Sequence, residues 1–227
     1  DDKFRILDLR RFEMELNAGL FFDCNIPLGY GVGSSGALVA AVYDRFKLIE
    51  IEDTLKLKSF LASMENYFHG SSSGIDPLQC YFGKPFILSQ KITDNGQQSS
   101  FTILDNDFIS DDIHIFLLDT NIKSPTGPLV EHFKERRQDE KYLDKFNNEY
   151  VPLVKECIDC LVEKKDDEFF ANLLRLSTLQ LELLSHTIPD DYKEYFLKDI
   201  NEDHFQIKLC GAGGGGFLLG FSDDVEA

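Results

Sequence analysis

Residues 27–37 read Pro-Leu-Gly-Tyr-Gly-Val-Gly-Ser-Ser-Gly-Ala and run directly into an apolar stretch, LVAAVYDRF. A glycine-rich loop that opens a helix has this pattern. Gly29, Gly31 and Gly33 allow backbone conformations that a β-carbon disfavours, so amide N–H groups can approach an anion closely. The first helical turn adds unpaired N–H groups and the positive end of the helix dipole. The stretch therefore predicts a phosphate site, the alternative being an ordinary tight turn between a strand and a helix.

The loop is neither of the two common nucleotide-binding patterns. A Walker A loop needs Gly-Lys-Ser/Thr after four intervening residues, whereas Gly33 is followed by two serines. The G-x-G-x-x-G spacing of dinucleotide-binding loops is also broken. The loop alone therefore indicates phosphate without indicating which nucleotide carries it.

Two further segments share the glycine-rich character. Residues 65–76 read Glu-Asn-Tyr-Phe-His-Gly-Ser-Ser-Ser-Gly-Ile-Asp, and residues 208–217 read Lys-Leu-Cys-Gly-Ala-Gly-Gly-Gly-Gly-Phe. In this order, the three segments resemble the phosphate loop, central motif and late glycine loop of the GHMP kinase superfamily. The E-x-x-x-H-G-x-x-S-G-x-D spacing of the middle segment is most like the mevalonate kinases. The resemblance extends over about residues 20–221.

The resemblance implies an α+β, GHMP kinase-like fold of two domains. The N-terminal part would be ribosomal protein S5 domain 2-like, and the helix-rich C-terminal part would be ferredoxin-like. We expect the ATP-binding domain in residues 1–110 and the C-terminal domain in 111–227, with a boundary near the polar run at 105–112. Relatives begin with a strand that carries a lysine, and the first 26 residues contain no match to it. The chain is therefore expected to lack about the first quarter of such a protein, or to be divergent.

The resemblance also implies an activity, the ATP- and Mg²⁺-dependent phosphorylation of the 5-hydroxyl of (R)-mevalonate. Another GHMP kinase, acting on phosphomevalonate, a sugar or homoserine, is one alternative. An inactive nucleotide-binding relative is another, and a generic α+β domain with structural glycine loops is the last. Some relatives are homodimers, so a homodimer stays open for this chain.

Phosphoryl transfer needs a held triphosphate, a metal ion and an aligned hydroxyl. By resemblance, the nucleotide phosphates contact Gly29, Gly31, Gly33, Ser34, Ser35, Gly213 and Gly214. Ser35 and Glu65 match the ligands of Mg²⁺, which prefers oxygen donors. The alternatives are helix capping by the serines and a solvated helix face for Glu65.

The acceptor end of the site is implied in the same way. Asp76 would receive or orient the proton of the attacking hydroxyl, and its alternative is a helix N-cap before Pro77. His69 is expected to shape its turn rather than to transfer protons. The alternative for Thr126 is also an N-cap, and the alternative for the late loop is a flexible hairpin turn. The residues expected at the substrate are His69, Ser73, Thr126, Gly211 and Ala212.

Three positions depart from the usual pattern of the superfamily. Cys210 stands where a threonine or serine is usual, and a thiol is a weak hydrogen-bonding group. Ser72 replaces a proline, which should loosen its turn slightly. Gly36 replaces an alanine, which should cost up to ~1 kcal/mol of helix propensity.

Composition excludes some classes of function. The 227 residues carry a net charge of −17, which argues against a nucleic acid as partner. No apolar run approaches the ~20 residues that span a bilayer, and the first residues are charged, so we expect a cytoplasmic location without a membrane partner. The five scattered cysteines are typical of reduced thiols. Cys157 and Cys160 form a C-x-x-C, but the pattern around them is helical, which favours a structural role over redox or metal chemistry.

Secondary structure can be predicted from periodicity and capping signals. Helices are expected from Ser34 or Ser35 to Phe46, from a cap at Thr54, and over 127–137, 139–163, 167–186 and 190–200, with Pro152 dividing or kinking the second of these four. Strands are expected over 19–26, 84–89, 101–104 and 113–119, and on both sides of the late glycine loop, while 94–100 is expected to be a turn or loop.

Overall fold

A computed structural model describes residues 6–70, 72–93, 96–105, 107–123 and 126–224. The side chains of residues 69, 90–93, 96–99 and 126 are outside the described part. The chain divides into two compact units: unit 1 contains Asp1–Pro27 and Gly33–Asn106, and unit 2 contains Leu28–Val32 and Asp107–Ala227. The first glycine loop is thus shared, since residues 28–32 belong to unit 2 and Gly33 to unit 1.

Unit 1 is built from helices and one antiparallel hairpin. Its elements are α1 (Leu9–Asn17), α2 (Ser34–Phe46), α3 (Thr54–His69), α4 (Ile75–Phe82), β1 (Phe86–Thr93) and β2 (Gly96–Ile103). The strands pair in register from Phe86 opposite Ile103 to Thr93 opposite Gly96. The core of the unit packs α2 against α3 and α4 through Val39, Tyr43, Leu57, Leu61 and Leu78.

The helix predictions in unit 1 are confirmed, with one cap displaced. Helix α2 has the predicted bounds, whereas α3 is capped by Asp53 instead of Thr54. The Asp53 carboxylate accepts hydrogen bonds from the N–H groups of Leu55 and Lys56, both at 3.0 Å. A carboxylate at this position satisfies orphan amides that a residue inside the helix cannot reach.

The strand predictions of unit 1 are partly wrong. Residues 20–26 form no strand, and Phe21 is 79% exposed. A strand needs a ladder partner for its backbone groups, and no described strand pairs with this segment. Residues 96–100 were expected in a loop but belong to β2, and the remaining residues of that prediction, 94 and 95, lie outside the described part.

Unit 2 places helices beside a three-stranded antiparallel sheet of order β3-β5-β4. Its strands are β3 (His114–Asp119), β4 (Phe205–Leu209) and β5 (Phe217–Ser222). Its α-helices are α5 (Thr126–Arg136), α6 (Glu140–Lys145), α7 (Val151–Val162), α8 (Asp166–Leu183) and α9 (Ile200–Asp203). A π-helical segment covers Phe146–Tyr150, and 3₁₀ segments cover Ser185–Thr187 and Asp190–Leu197. The two strands predicted around the late glycine loop are confirmed as β4 and β5.

Pro152 marks the place where the predicted 139–163 helix is interrupted. The π-helical segment ends two residues before it, and α7 carries the proline in its first turn. Proline lacks the N–H that continues an α-helical ladder, and a wider turn accommodates the missing bond. The α-helix predicted over 190–200 is wrong in type. Asp190–Leu197 is a 3₁₀ helix, and the short α-helix that follows it covers Ile200–Asp203.

One hydrophobic cluster of unit 2 joins α7 and α8 to the sheet, and it contains Cys157 and Cys160. The two thiols are 5% and 8% exposed and unpaired as disulfides. Burial raises the pKa of Cys157 to about 12. Among the described residues, no helix is long and apolar enough to cross a membrane.

Candidate phosphate and phosphoryl-transfer site

The N-terminus of α2 lies in unit 1 and begins at Gly33, which has a positive φ of 78°. Ser34 and Ser35 are the first two helical residues, so neither is the N-cap. Gly33 has no side chain with which to cap the first turn. An oxyanion placed there would meet backbone N–H groups and the positive end of a helix of 13 residues.

Glu65, on α3, is 4% exposed although it is a carboxylate. Its Oε1 accepts a hydrogen bond from Ser35 Oγ at 2.8 Å, and its Oε2 accepts one from Ser72 Oγ at 2.5 Å. The alternative of a solvated helix face is therefore wrong for Glu65. Its position links the start of α2 to the turn between α3 and α4.

Ser72 holds this turn in three ways. Besides donating to Glu65, its Oγ accepts the Gly74 N–H at 2.9 Å, and its own N–H donates to Asn66 Oδ1 at 2.6 Å. These hydrogen bonds would oppose the loosening that we expected when a serine replaces the usual proline. Sequence reasoning did not include Ser72 in the site. The only signal in the sequence was its position seven residues after Glu65, within the middle motif.

Asp76 is the second residue of α4, whose N-cap is Gly74, so the capping alternative is wrong. The side chain is exposed and faces Gly33: a β-carbon built on Gly33 would be 3.4 Å from the Asp76 β-carbon. A β-carbon on Gly36 would be 2.8 Å from the backbone carbonyl carbon of Asp76 and from the nitrogen of Pro77. The glycine at position 36 thus permits the close approach of α2 and α4, a reason that helix propensity did not reveal.

In unit 2, the first glycine loop lies on the late one. A β-carbon on Gly216 would collide with the Tyr30 carbonyl, and one on Gly211 would be 3.3 Å from the Gly31 carbonyl oxygen. The rings of Tyr30 and Phe217 pack with centroids 5.2 Å apart. Residues about 180 positions apart in sequence therefore lie in backbone contact.

The late glycine loop is fixed by hydrogen bonds to its neighbours. The Gly214 N–H donates to the Thr187 carbonyl, and the Gly216 N–H donates to the Ile122 carbonyl at 2.7 Å. The Gly216 carbonyl in turn accepts from Thr120 Oγ1 at 2.7 Å. These hydrogen bonds tie the late loop to Thr187, Ile122 and Thr120, more contacts than a flexible hairpin turn needs.

The remaining predicted site residues are dispersed along the elements. Ser73 is exposed, and its Oγ accepts the Ile75 N–H at 3.3 Å. His69 ends α3 and Thr126 begins α5, but the side chains of both lie outside the described part. The exposed Lys123, which precedes α5, runs alongside Gly29 in unit 2, with side-chain carbons 4.0 Å from a β-carbon built there.

No group of three or more His, Cys, Asp or Glu side chains within the described ranges could hold a metal ion. The oxygens of Ser35 and Glu65 nevertheless suit Mg²⁺, which binds through one or two protein groups together with substrate phosphates. In the part of the chain that the structure describes, no lysine or arginine forms an ion pair with the buried Glu65.

Comparison with known proteins shows which proteins share this architecture. Residues 5–84 match the family model described as GHMP kinases N terminal domain. The structure of Leishmania major (L. major) mevalonate kinase in complex with R-mevalonate superposes with a TM-score of 0.59 at 15% identity, covering 86% of this chain and 58% of that one. The structure of Streptococcus pneumoniae phosphomevalonate kinase in complex with phosphomevalonate and AMPPNP superposes with a TM-score of 0.61 at 17% identity. The match covers 87% of this chain and 63% of that one. This chain has the fold of the GHMP kinases.

The resemblance of the sequence to GHMP kinases, and within them to mevalonate kinase, is also confirmed. A mevalonate kinase of Dictyostelium discoideum is 25% identical over 162 residues, which cover 68% of this chain and 39% of the relative. The chain thus spans less than half of that relative and about three fifths of the two solved kinases. The predicted α+β, GHMP kinase-like fold is confirmed.

Proposed function

We propose that this protein is an ATP-dependent kinase of the GHMP type that phosphorylates the 5-hydroxyl of (R)-mevalonate, giving 5-phosphomevalonate and ADP. The observation that carries the proposal is the arrangement in unit 1, where Ser35 on α2, the buried Glu65 on α3 and Asp76 on α4 surround one helix N-terminus. A structural turn has no need of a buried carboxylate and an exposed one at that place. The similarity to mevalonate kinases in sequence and fold supports the choice of reaction.

The nucleotide phosphates are proposed to contact the backbone of both glycine loops. Gly33, Ser34 and Ser35 contribute the N-terminus of α2, while Gly29 and Gly31 contribute the part of the loop in unit 2. Gly213 and Gly214 belong to the late loop that packs on that part. Lys123 supports the proposal because it brings a cation alongside Gly29, where phosphate charge would accumulate.

Mg²⁺ would be held by Ser35 Oγ and Glu65, together with the phosphates that it accompanies. The fit rests on the burial of Glu65, since a buried carboxylate without a cationic partner is costly and a divalent cation would offset the cost. When bound, the ion would neutralise charge that develops on the transferred phosphoryl group. Ser72 would keep Glu65 oriented for this role.

Asp76 is proposed to accept or orient the proton of the attacking hydroxyl. Its carboxylate is exposed and lies against Gly33, so an acceptor hydroxyl could approach both the base and the phosphate end of the loop. Contacts to the acceptor are assigned to His69, Ser73, Thr126, Gly211 and Ala212. Units 1 and 2 would then correspond to the N-terminal and C-terminal domains of the kinase, in a cytoplasmic protein for which a homodimer stays open.

A second candidate is phosphorylation of phosphomevalonate. It is favoured by the similarity of fold to a kinase that was solved with phosphomevalonate and AMPPNP. The two candidates differ in the charge of the acceptor, which carries a phosphate in one case and a free hydroxyl in the other. Nucleotide binding without turnover is the third outcome, expected for an inactive relative.

The test is ADP release with Mg²⁺-ATP and, separately, mevalonate, phosphomevalonate, galactose or homoserine. We expect ADP release with mevalonate and with none of the other three acceptors. ADP release with phosphomevalonate alone would instead support the second candidate. Asp76→Asn should lower kcat by about 10² or more if it removes a general base, while the exposed Asp44→Asn on α2 should leave kcat unchanged. Full activity of Asp76→Asn would remove Asp76 from the mechanism, and ATP binding without ADP release would favour the inactive relative.

A further inference from the structure

A cavity of about 360 Å³ lies within unit 2, below the start of the late glycine loop. Most of its wall is apolar or aromatic and comes from α5, the π-helical segment, α7 and α8. The apolar lining consists of Leu129, Val130, Phe133, Phe146, Val154, Leu184 and Leu209, and Gly211 and Ala212 form part of the rim. Ligand sites in proteins have this character when a few polar groups converge on the apolar wall.

Lys208, on β4, supplies a positive charge to this cavity. Its Nζ donates to the Leu209 carbonyl at 2.8 Å, which occupies one of the three N–H donors of an ammonium group. No aspartate or glutamate is among the residues that line the cavity, and none in the described ranges forms an ion pair with Lys208. In a chain of 40 acidic and 23 basic residues, a cavity with a lysine and no carboxylate has a charge opposite to that of the molecule.

Lys208 is half-buried, and no carboxylate in the cavity lining compensates its charge. Desolvation lowers the pKa of Lys208 from the ordinary lysine value, because removal from water disfavours the charged form. The thiols of Cys210 and Cys157 act in the opposite direction, and thiols are weak partners for an ammonium group. An anion in the cavity would provide the missing counter-charge.

Tyr150 offers a second donor, and a buried glutamine fixes it. Gln180 is 2% exposed; its Oε1 accepts the Leu209 N–H at 2.9 Å, and its Nε2 donates to Tyr150 Oη at 3.0 Å. Because Oη accepts this bond, its own hydrogen can donate elsewhere. The Tyr150 ring is stacked on Phe146, with centroids 4.9 Å apart, at the two ends of the π-helical segment. π-Helical turns occur often at functional sites, and here the turn sets two of the lining aromatics.

We propose that this cavity binds an amphipathic anion, a short apolar chain that ends in a carboxylate or a phosphate, with the anionic group held by Lys208 Nζ and Tyr150 Oη. The chain would lie against the aromatic and aliphatic wall. The site goes beyond the proposed kinase function, to which neither Lys208 nor Tyr150 is assigned. It shares only its rim, Gly211 and Ala212, with the proposed acceptor contacts. Both anion types share the same chemistry of recognition, and the probes below distinguish them.

The test is isothermal titration calorimetry of the protein with hexanoate, hexyl phosphate and hexanol, in the absence of ATP. The three probes carry the same apolar chain and differ only in the head group. At least one of the two anions should bind about tenfold or more tightly than hexanol, because a hydrogen bond to a charged donor contributes more than one between neutral groups. The tighter anion identifies the head group. Equal affinities of all three probes, or no binding of either anion, would overturn the proposal.

Two variants locate the binding. Lys208→Met keeps most of the length of the side chain and removes the charge, so the affinity for the preferred anion should fall to that for hexanol. Tyr150→Phe should lower the affinity for the preferred anion severalfold and leave the affinity for hexanol unchanged. Lys155→Met, an exposed lysine on α7, is the matched control and should retain the preference.

Circular dichroism would establish that each variant is folded, and a folded Lys208→Met variant that still prefers the anion would refute the assignment. Because the titrations contain no nucleotide and no acceptor, their outcome is separate from the ADP-release test. A failure of either test leaves the other result intact.

Discussion

Among the described residues, Glu65 Oε1 accepts a hydrogen bond from Ser35 Oγ and Oε2 accepts one from Ser72 Oγ. Ser72→Ala should destabilise the protein by about 1–3 kcal/mol, because the carboxylate would lose a partner in a site from which water is largely excluded. Ser73→Ala is the matched control, since among the described residues that exposed serine accepts one long hydrogen bond, and its effect should stay within about 0.5 kcal/mol. Urea unfolding of the two variants measures the difference. Equal stabilities would show that Glu65 does not depend on Ser72.

Also at the residue scale, Cys157 should resist alkylation in the native protein. The thiolate is the reactive form, and burial both shields Cys157 and raises its pKa to about 12, so almost none is ionised at neutral or mildly alkaline pH. Treatment with iodoacetamide at about pH 8, below the ordinary thiol pKa, followed by peptide mass spectrometry, should label the exposed Cys24 but not Cys157. Denaturant should make both reactive. Comparable native labelling rates would contradict the burial of α7 against the sheet.

Helix packing at the element scale depends on Gly36, where α2 passes α4. Gly36→Ala should destabilise the protein by about 1–3 kcal/mol, because the new methyl group would meet backbone atoms of Asp76 and Pro77 and outweigh the gain in helix propensity. Gly127→Ala in α5 is the control, because a β-carbon there meets nothing within 4 Å. It should be neutral or stabilising by up to ~1 kcal/mol. Thermal unfolding of both variants would measure these changes in stability. A stabilised Gly36→Ala protein would show that α2 and α4 are less closely packed than described.

For the whole molecule, the charge of −17 should make stability depend on salt. Raising NaCl from about 0.01 M to about 0.5 M shortens the screening length and weakens the repulsion among carboxylates. The described ion pairs are mostly exposed and contribute little, so their loss by screening should be the smaller effect. The melting temperature should therefore rise by about 2–4 °C for each kcal/mol of repulsion removed. KCl should act like NaCl, and a falling melting temperature would mean that the ion pairs dominate.

Local sequence signals were sufficient to predict many of the helices and strands. The bounds of α2 followed from the serines after Gly33 and the apolar spacing up to Phe46, and β4 and β5 followed from short apolar runs on both sides of the glycine-rich stretch. The strand expected over 19–26 does not form because no strand in the described part of the chain pairs with it, and no local pattern can supply a partner.

The sequence by itself determined the order of three glycine-rich segments, and with them the GHMP kinase fold and the proposed site residues. Only the tertiary structure decided which of those segments meet: Glu65 with Ser35 and Ser72, Gly36 with the backbone of Asp76, and the late loop with residues 28–32. It also decided that Lys208 and Tyr150 share a cavity with no carboxylate in its lining. The reason is physical: spacing along the chain fixes backbone propensity and capping within one element. Burial, counter-charge and close approach arise only when side chains from separate elements are packed together.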